Sequence, residues 1–515
     1  MMNERLIYGK DPMPYITSIE PEVESLKIWQ RFPDGSLKES SIPNKYWILS
    51  ANPIDKSWVK LKGDLYYKWG KQYRTLPEMK QAKFFLNQDG EDVFCINDGK
   101  ESSMVNKGLT YYKGLKPKDL SVLSFDIETT SLDPEIPEAK LLLISNTFRH
   151  QGKIYKHLFA YDDYEDEGAM IDDWCEYVRL WNPDCLIGHN VFCFDLPYLY
   201  SRAKKFKTNL YLGRDESPIK FNKYSSYKRK DQTQDIEFKS SKVYGREIVD
   251  TYFLSIDYDI VEKKYDSYGL KYIVNKEKLE KPGRTFYDAN QIRFKYHIPE
   301  EWVKIKEYCV DDSDDALALF DLMCPAKFYL SQSVPKSFQE MICSASGSQL
   351  NSFLLRSYIQ EAHSVPKASE VEYVKGGISF GIPGIYSNVI KIDLKSAYPS
   401  QILRFKLYDK EKDPNGNFYK MVHHFTYERF ELKDKYKETK DRYYYDREQA
   451  NKIVINSAYG LCNTAGLNFN CLWMAKKITK ETRDIIEFSL KWASGKDMEF
   501  YKQYMKENKD ESSEV

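Results

Sequence analysis

Residues 121–134 read SVLSFDIETTSLDP, and the first eight of them decide the architecture of the middle of the chain. An apolar run of this length without a helical period reads as a buried strand. It ends in two acids, Asp126 and Glu128. Side chains at i and i+2 on a strand leave the sheet on the same face, so the two carboxylates share one edge. The runs that follow, LLLISNTF and KHLFAYD, read as neighbouring strands, and MIDDWCEYVRLW reads as an amphipathic helix that covers them. Alternating strand and helix make this block α/β. Taken alone, an Asp-x-Glu pair is most often a solvated strand end, so its meaning depends on what else the chain carries.

Working outward, further acids stand in distinctive surroundings. Asp195 lies in IGHNVFCFDLPYL, Tyr308 and Asp312 in YCVDDSDDALALF, Asp393 in VIKIDLKSAYPSQI, and Lys452 with Asn456 in NKIVINSAYG. Hydrolysis of a phosphodiester needs a nucleophilic water and a stabilised leaving oxygen, which a pair of divalent ions supplies. Carboxylate oxygens suit Mg²⁺ or Mn²⁺, and Asp195 and Asp312 complete a four-carboxylate cage with Asp126 and Glu128. Further on, HHFTYERFELKDKYKE and REQANKIVINSAYG read as two helices joined near Thr439-Lys440-Asp441, a helical hairpin. On the second helix Lys452, Asn456 and Tyr459 fall at i, i+4 and i+7, one face. On the first, Arg429 and Lys433 are four apart and present a second cationic face.

The motifs, in this order, resemble those of the family B DNA polymerases of viral type: three proofreading-exonuclease motifs, then two of three polymerase motifs. The resemblance implies that Tyr308 positions the attacking water, and its spacing selects Asp312 from Asp311, Asp312, Asp314 and Asp315. It implies that Asp393, at the end of an apolar strand, holds both polymerase metals with help from the Leu394 carbonyl. Tyr398 would stack under the incoming sugar, with Ala397 in place of the usual Leu behind it. Arg429 would clamp the γ-phosphate, Lys433 and Lys452 would meet the triphosphate beside Asn456, and Tyr459 with Gly460 would floor the nascent base pair. Gly376 and Gly377 resemble the element that holds single-stranded template, and Asp250 in GREIVD resembles a supporting element near the exonuclease site. The span from Asp393 to Lys452 is short and implies trimmed fingers.

The third polymerase motif, a Tyr-Gly-Asp-Thr-Asp-Ser hairpin with the second palm carboxylate, does not occur in the sequence. The expectation is therefore an α/β multidomain chain: an accessory domain over 1–120, a ribonuclease H-like 3′–5′ exonuclease over 121–324, an α+β palm over 325–407 and 456–515, and helical-hairpin fingers over 408–455, with no thumb. Synthesis would need a second chain carrying the missing motif and thumb, besides primer–template DNA, dNTPs, two Mg²⁺ or Mn²⁺ ions per site and a sliding clamp. A stand-alone exonuclease with a DNA-binding fragment and a non-catalytic polymerase-like scaffold are the alternatives. The retained acids argue against the scaffold.

Composition bounds the rest. Several domains are expected of 515 residues. Lys plus Arg and Asp plus Glu both number 77, so net charge gives no argument for a nucleic-acid partner. Basic clusters at Arg202–Lys207 and Lys228-Arg229-Lys230, the latter interleaved with Tyr224 and Tyr227, could track phosphates, although such clusters are more often solvated surface. The nine scattered cysteines form no CxxC pair and read as reduced thiols of a cytoplasmic protein. No run approaches the length of a membrane span.

Overall fold

Val122–Thr129 is the middle strand of a five-stranded sheet in the computed structural model, which describes residues 4–230, 234–378, 384–389, 391, 393–500 and 503. The strand order is Lys153–Ala160, Leu141–His150, Val122–Thr129, Cys185–Gly188, Glu247–Asp250. The first two pair antiparallel and the last two run parallel to the middle strand. Parallel strands covered on both faces read as unbroken apolar runs, which is why SVLSF carries no alternation.

Each face of the sheet has its cover. The helix Glu167–Trp181 buries Met170, Ile171, Trp174, Cys175 and Val178, one apolar stripe, and Asp166 caps its start by accepting from the Ala169 amide. Trp174 is fully buried and donates to Asn146 Oδ1 at 2.9 Å, so its removal would cost about 3–5 kcal/mol. On the other side lies the long helix Pro299–Ser331. Hydroxyls of Leu141–His150 tie it down: Ser145 Oγ donates to the Cys309 carbonyl at 2.7 Å, and Thr147 Oγ1 to Asp314 Oδ1 at 2.6 Å.

The boundary expected near Met323-Cys324-Pro325 falls inside this helix, which runs unbroken through Pro325. Proline removes one helical donor and crowds the preceding turn. Here burial of all three residues outweighs that local preference, and Arg442 reaches the Leu322 carbonyl at 3.4 Å.

The N-terminal runs form a three-stranded antiparallel sheet (Ile16–Pro21, Ser25–Arg31, Leu37–Pro43) and a four-stranded one built around Tyr46–Ser50. They are welded to the five-stranded sheet through buried polar bonds. Arg31 pairs with Asp184 at 2.9 Å, and the Tyr111 hydroxyl donates to Glu247 at 2.9 Å. One apolar cluster runs from Ile7 to Ile478, with two smaller ones around Tyr308 and Tyr46.

The C-terminal part is helical. Ser346–Ile359 packs on Arg442–Cys462, and Gly347 is where their backbones approach: a Cβ there would lie 3.4 Å from the Leu461 nitrogen. Ser344-Ala345 separates Ser346–Ile359 from Phe338–Cys343. The hairpin consists of Asn417–Thr439 and Arg442–Cys462, and Leu472–Ser494 follows it. The β component expected of the palm is not found among the described residues. Of the expected strand at 388–394, Ile390 and Ile392 lie outside them, and Asn388, Val389, Lys391, Asp393 and Leu394 are in no strand. A strand needs a hydrogen-bonded neighbour, and no described residue pairs with this segment. Pro383 and most of the polar tail after 500 also lie outside the described residues. All nine cysteines are free, and among the described residues no helix is long and apolar enough to cross a membrane.

Candidate active site

Four carboxylates from three different elements line one cleft of about 510 Å³: Asp126 and Glu128 from the middle strand, Asp195 from the first turn of Asp195–Lys205, and Asp312 from Pro299–Ser331. Glycine makes the approach possible. Gly188 ends the neighbouring strand, and a Cβ there would stand 2.5 Å from Val191 Cγ1 and 2.7 Å from the Phe125 carbonyl. The chain then turns through Asn190, whose φ is 74°, and Asp250 fixes the turn by accepting from the amides of Asn190 (2.8 Å), Phe192 (3.2 Å) and Tyr252 (2.9 Å). Asp250 therefore supports the loop that delivers Asp195. The Ile127 amide donates toward the Asp195 carboxylate, which seats it against the middle strand.

Tyr308 and Asp312, one helical turn apart, face the cleft together. The other three acids of YCVDDSDD are occupied elsewhere. Asp311 accepts from the Thr285 amide at 2.7 Å, Asp314 from Thr147 and Lys281, and Asp315 from Arg284 at 2.7 Å. Asp312 itself pairs with Arg284 at 2.6 Å and lies 3.6 Å from Lys271. The Lys271 ammonium donates to the Tyr308 hydroxyl and stands 4.0 Å from its ring centroid. Neither Lys271 nor Arg284 carries a sequence signal of its own, since their partners are 28 to 41 residues away in the sequence.

The electrostatics of the cleft are those of crowded, desolvated acids. Burial, then Asp312, Asp195 and Glu128, push the Asp126 carboxyl well above the usual range. Burial, then Asp312, push Glu128 up to about 8, and burial raises Asp195 to about 8 with Asp250 adding to it. Asp312 is raised by burial against the pull of Lys271 and Arg284. The Tyr308 phenol is raised by burial and then by Asp312, so it stays protonated. Like charges at such distances resist joint ionisation unless a cation stands among them. Hard oxygen donors in this arrangement fit Mg²⁺ or Mn²⁺. Among the described residues, Asp126, Glu128 and Cys309 form the one grouping whose ligand atoms all lie within 4.8 Å.

The second set of residues is arranged differently. Asp393 is exposed, Leu394 is half-buried beside it, and no ligand grouping forms around Asp393 among the described residues. Asp484, Glu487 and Asp497 of the C-terminal stretch form no such grouping with it, and Asp484 pairs with Lys480 at 2.7 Å. Tyr398 and Tyr459 meet with ring centroids 5.0 Å apart. Gly377 lies beside the Tyr398 hydroxyl, and Arg483 donates to the carbonyls of Lys375 (2.7 Å) and Gly376 (2.8 Å). Gly460 has open space on its Cβ side, Asn456 and Lys433 are exposed, and Lys452 is half-buried with its pKa lowered chiefly by burial. Arg429 is engaged: it pairs with Glu448 at 2.6 Å and donates to Ser396 Oγ at 2.7 Å.

Part of the basic clusters is interior. Arg202 is buried and pairs with Glu167, while Lys228 is buried against Asp257 and the Ile342 carbonyl. Arg246 is buried and donates to the Leu212 carbonyl and to Asn182 Oδ1.

The family model for DNA polymerase family B, exonuclease domain, matches residues 100–273, and that for DNA polymerase family B matches residues 404–514. Both models describe DNA polymerase family B, and these two stretches of the chain are similar to it. Among its relatives are the DNA polymerase of Pyrococcus glycovorans, 26% identical over 424 residues that make up 75% of this chain and 52% of that protein. The DNA polymerase delta catalytic subunit of Plasmodium falciparum is 25% identical over 405 residues, 72% of this chain and 35% of that one. The chain thus spans about half the length of the curated archaeal relatives it matches. The fold is shared with the family B DNA polymerase of the hyperthermophilic archaeon Pyrobaculum calidifontis, at a TM-score of 0.73 and 18% identity over 92% of this chain and 71% of that one. The viral affiliation expected from the motifs has no counterpart in these archaeal and Plasmodium relatives.

Proposed function

We propose that this chain is the exonuclease-bearing part of a DNA-directed DNA polymerase and removes nucleotides from the 3′ end of DNA through Asp126, Glu128, Asp195, Tyr308 and Asp312. The observation that supports this most is the convergence of four crowded carboxylates from three elements on one cleft, three of them buried and Asp126 half-buried. Asp126 and Glu128 would hold one side of a two-ion site and Asp195 and Asp312 the other. Bound divalent ions would activate water and stabilise the leaving 3′ oxygen. Tyr308 receives a hydrogen bond from Lys271, shares one with Asp312, and keeps its own proton, so its hydroxyl can orient a water. Arg284 occupies one oxygen of Asp312 and fixes the direction of the other.

The remaining assignments follow the family. Residues 325–407 and 456–515 would be palm and 408–455 fingers, with Asp393 as a metal ligand, Leu394, Tyr398, Arg429, Lys433, Lys452, Asn456 and Tyr459 around the dNTP, and Gly376, Gly377 and Gly460 along the DNA. Since no grouping of three or more metal ligands forms around Asp393 among the described residues, synthesis would need a segment outside them. In the form the motifs suggest, a second chain brings the third palm motif and the thumb.

The decisive experiment is digestion of a 5′-labelled single strand by the purified protein with Mg²⁺. A ladder shortening from the 3′ end is expected, and it should vanish with EDTA. An intact label after prolonged incubation with Mg²⁺ or Mn²⁺ would remove the exonuclease reading.

A further inference from the structure

Arg429, the side chain assigned above to the triphosphate, is already held by an acid of the same hairpin. It sits on the helix Asn417–Thr439, and its partner Glu448 sits on the antiparallel helix Arg442–Cys462. The contact is 2.6 Å from Nε to Oε1, and the two side chains are only 12% and 7% exposed. The other Glu448 oxygen accepts from Gln449 Nε2 at 2.7 Å, and a second guanidinium nitrogen donates to Ser396 Oγ at 2.7 Å. Both carboxylate oxygens and two nitrogens of the guanidinium fork are thus engaged.

Glu448 is also placed against a second cation. It precedes Lys452 by four residues, so the carboxylate and the ammonium project from adjacent turns of one helix face. Burial lowers the pKa of Lys452, and Glu448 acts in the opposite sense, so the carboxylate is close enough to be felt. The acid therefore stands between two cations of the hairpin that a triphosphate would need. A phosphate oxygen and a carboxylate oxygen compete for the same guanidinium donors, and they repel each other when both are present.

We infer that Glu448 is an internal competitor of the incoming nucleotide, which holds Arg429 on the hairpin until a triphosphate displaces it. The pair makes nucleotide binding weaker than the cations alone would allow, because each binding event has to open a buried ion pair. A ligand without a γ-phosphate gains less by opening it. Glu448 is on this account a specificity-determining residue for triphosphates, and the inference rests on the reading of 408–455 as nucleotide-binding fingers.

Binding of dATP and of deoxyadenosine, each with Mg²⁺, to the full chain and its variants by calorimetry tests this. Glu448→Gln keeps the shape and the Gln449 contact and should bind dATP roughly tenfold more tightly. Deoxyadenosine should bind both proteins alike. In an Arg429→Gln background the same change should alter dATP affinity by less than about twofold, since the two sites are coupled. Circular dichroism melts establish that each variant is folded, and Glu448→Ala serves should Glu448→Gln fail to fold. Folded Glu448 variants that bind dATP as weakly as the parent, or more weakly, would overturn the competitor role while leaving the fingers reading intact. An absence of dATP binding by every protein, parent and variants alike, would instead overturn the fingers reading and the inference with it.

Discussion

The acid-lined cleft and the Asp393 region use the same kind of ligand and are built in opposite ways. In the cleft three elements converge: Asp126 and Glu128 are set by the middle strand, Asp250 supports the loop behind Asp195, and Arg284 and Lys271 stand beside Asp312. Around Asp393 the acid is exposed, the segment that carries it pairs with no described strand, and the nearby order comes from helices that meet each other at Tyr398–Tyr459 and Arg429–Glu448. A site whose ligands are positioned by a shared core can work within this chain.

The largest expected difference follows directly. The chain alone should show exonuclease activity and no primer extension, because a lone palm carboxylate does not hold two ions against a triphosphate. Extension by the purified protein that survives Asp126→Ala but is lost with Asp393→Ala would break the contrast. Supplying a polypeptide with the third motif and thumb should restore synthesis.

Within the cleft, Asp126→Ala and Asp312→Ala should each lower the exonuclease rate by at least about a thousandfold, the scale lost when a preorganised charge partner is removed from a reacting phosphate. Asp311→Ala, whose carboxylate points to Thr285 and Lys281, should keep measurable activity. Equal losses at Asp311 and Asp312 in labelled-strand digestion would mean that the helix, not the ligand, was damaged. Tyr308→Phe should cost less, about 10²-fold, since it removes only a hydroxyl that orients water. Its Mg²⁺ dependence should stay that of the parent, and a shifted metal requirement would place Tyr308 among the ligands instead.

What the sequence disclosed follows the range over which each feature is encoded. The strand at 122–129 and the hairpin after 417 were legible because apolar runs and a 3.6-residue period are local. Asp312 was separable from its three neighbours only through its spacing from Tyr308, and the structure gives the reason: the others bond to residues before and behind the helix. Arg284, Lys271 and Glu448 were not legible, since each matters through a partner on another element. Charge patterning left Arg202 and Lys228 as phosphate trackers or, more often, solvated surface, whereas both are buried ion-pair partners. Pro325 misled too, because tertiary burial carried the helix through it. The strand expected before Asp393 was read from apolar residues alone, whereas a strand is realised only with a neighbour.

The smallest effect separates the cleft from the frame that carries it. Asp184 is buried at the start of Cys185–Gly188 and pairs with Arg31 of the N-terminal sheet at 2.9 Å and with Arg214 at 3.0 Å. Burial alone would raise its pKa, but the two guanidinium groups outweigh burial and hold it below the usual carboxylate range. A carboxyl depressed in the folded state favours folding above its unfolded pKa of about 3.9, and that contribution fades as pH falls through the folded value. The melting temperature should therefore drop as pH is taken below about 4, and Asp184→Asn should lower it at neutral pH while flattening its acid limb. At pH 7 the same variant, if still folded, should retain the metal dependence of the parent exonuclease, because Asp184 joins the N-terminal sheet to the five-stranded sheet and does not line the cleft. An acid limb as steep as the parent's would mean that other carboxylates carry the pH dependence. A changed metal requirement would mean that frame and cleft are coupled more closely than the bonds around Asp184 imply.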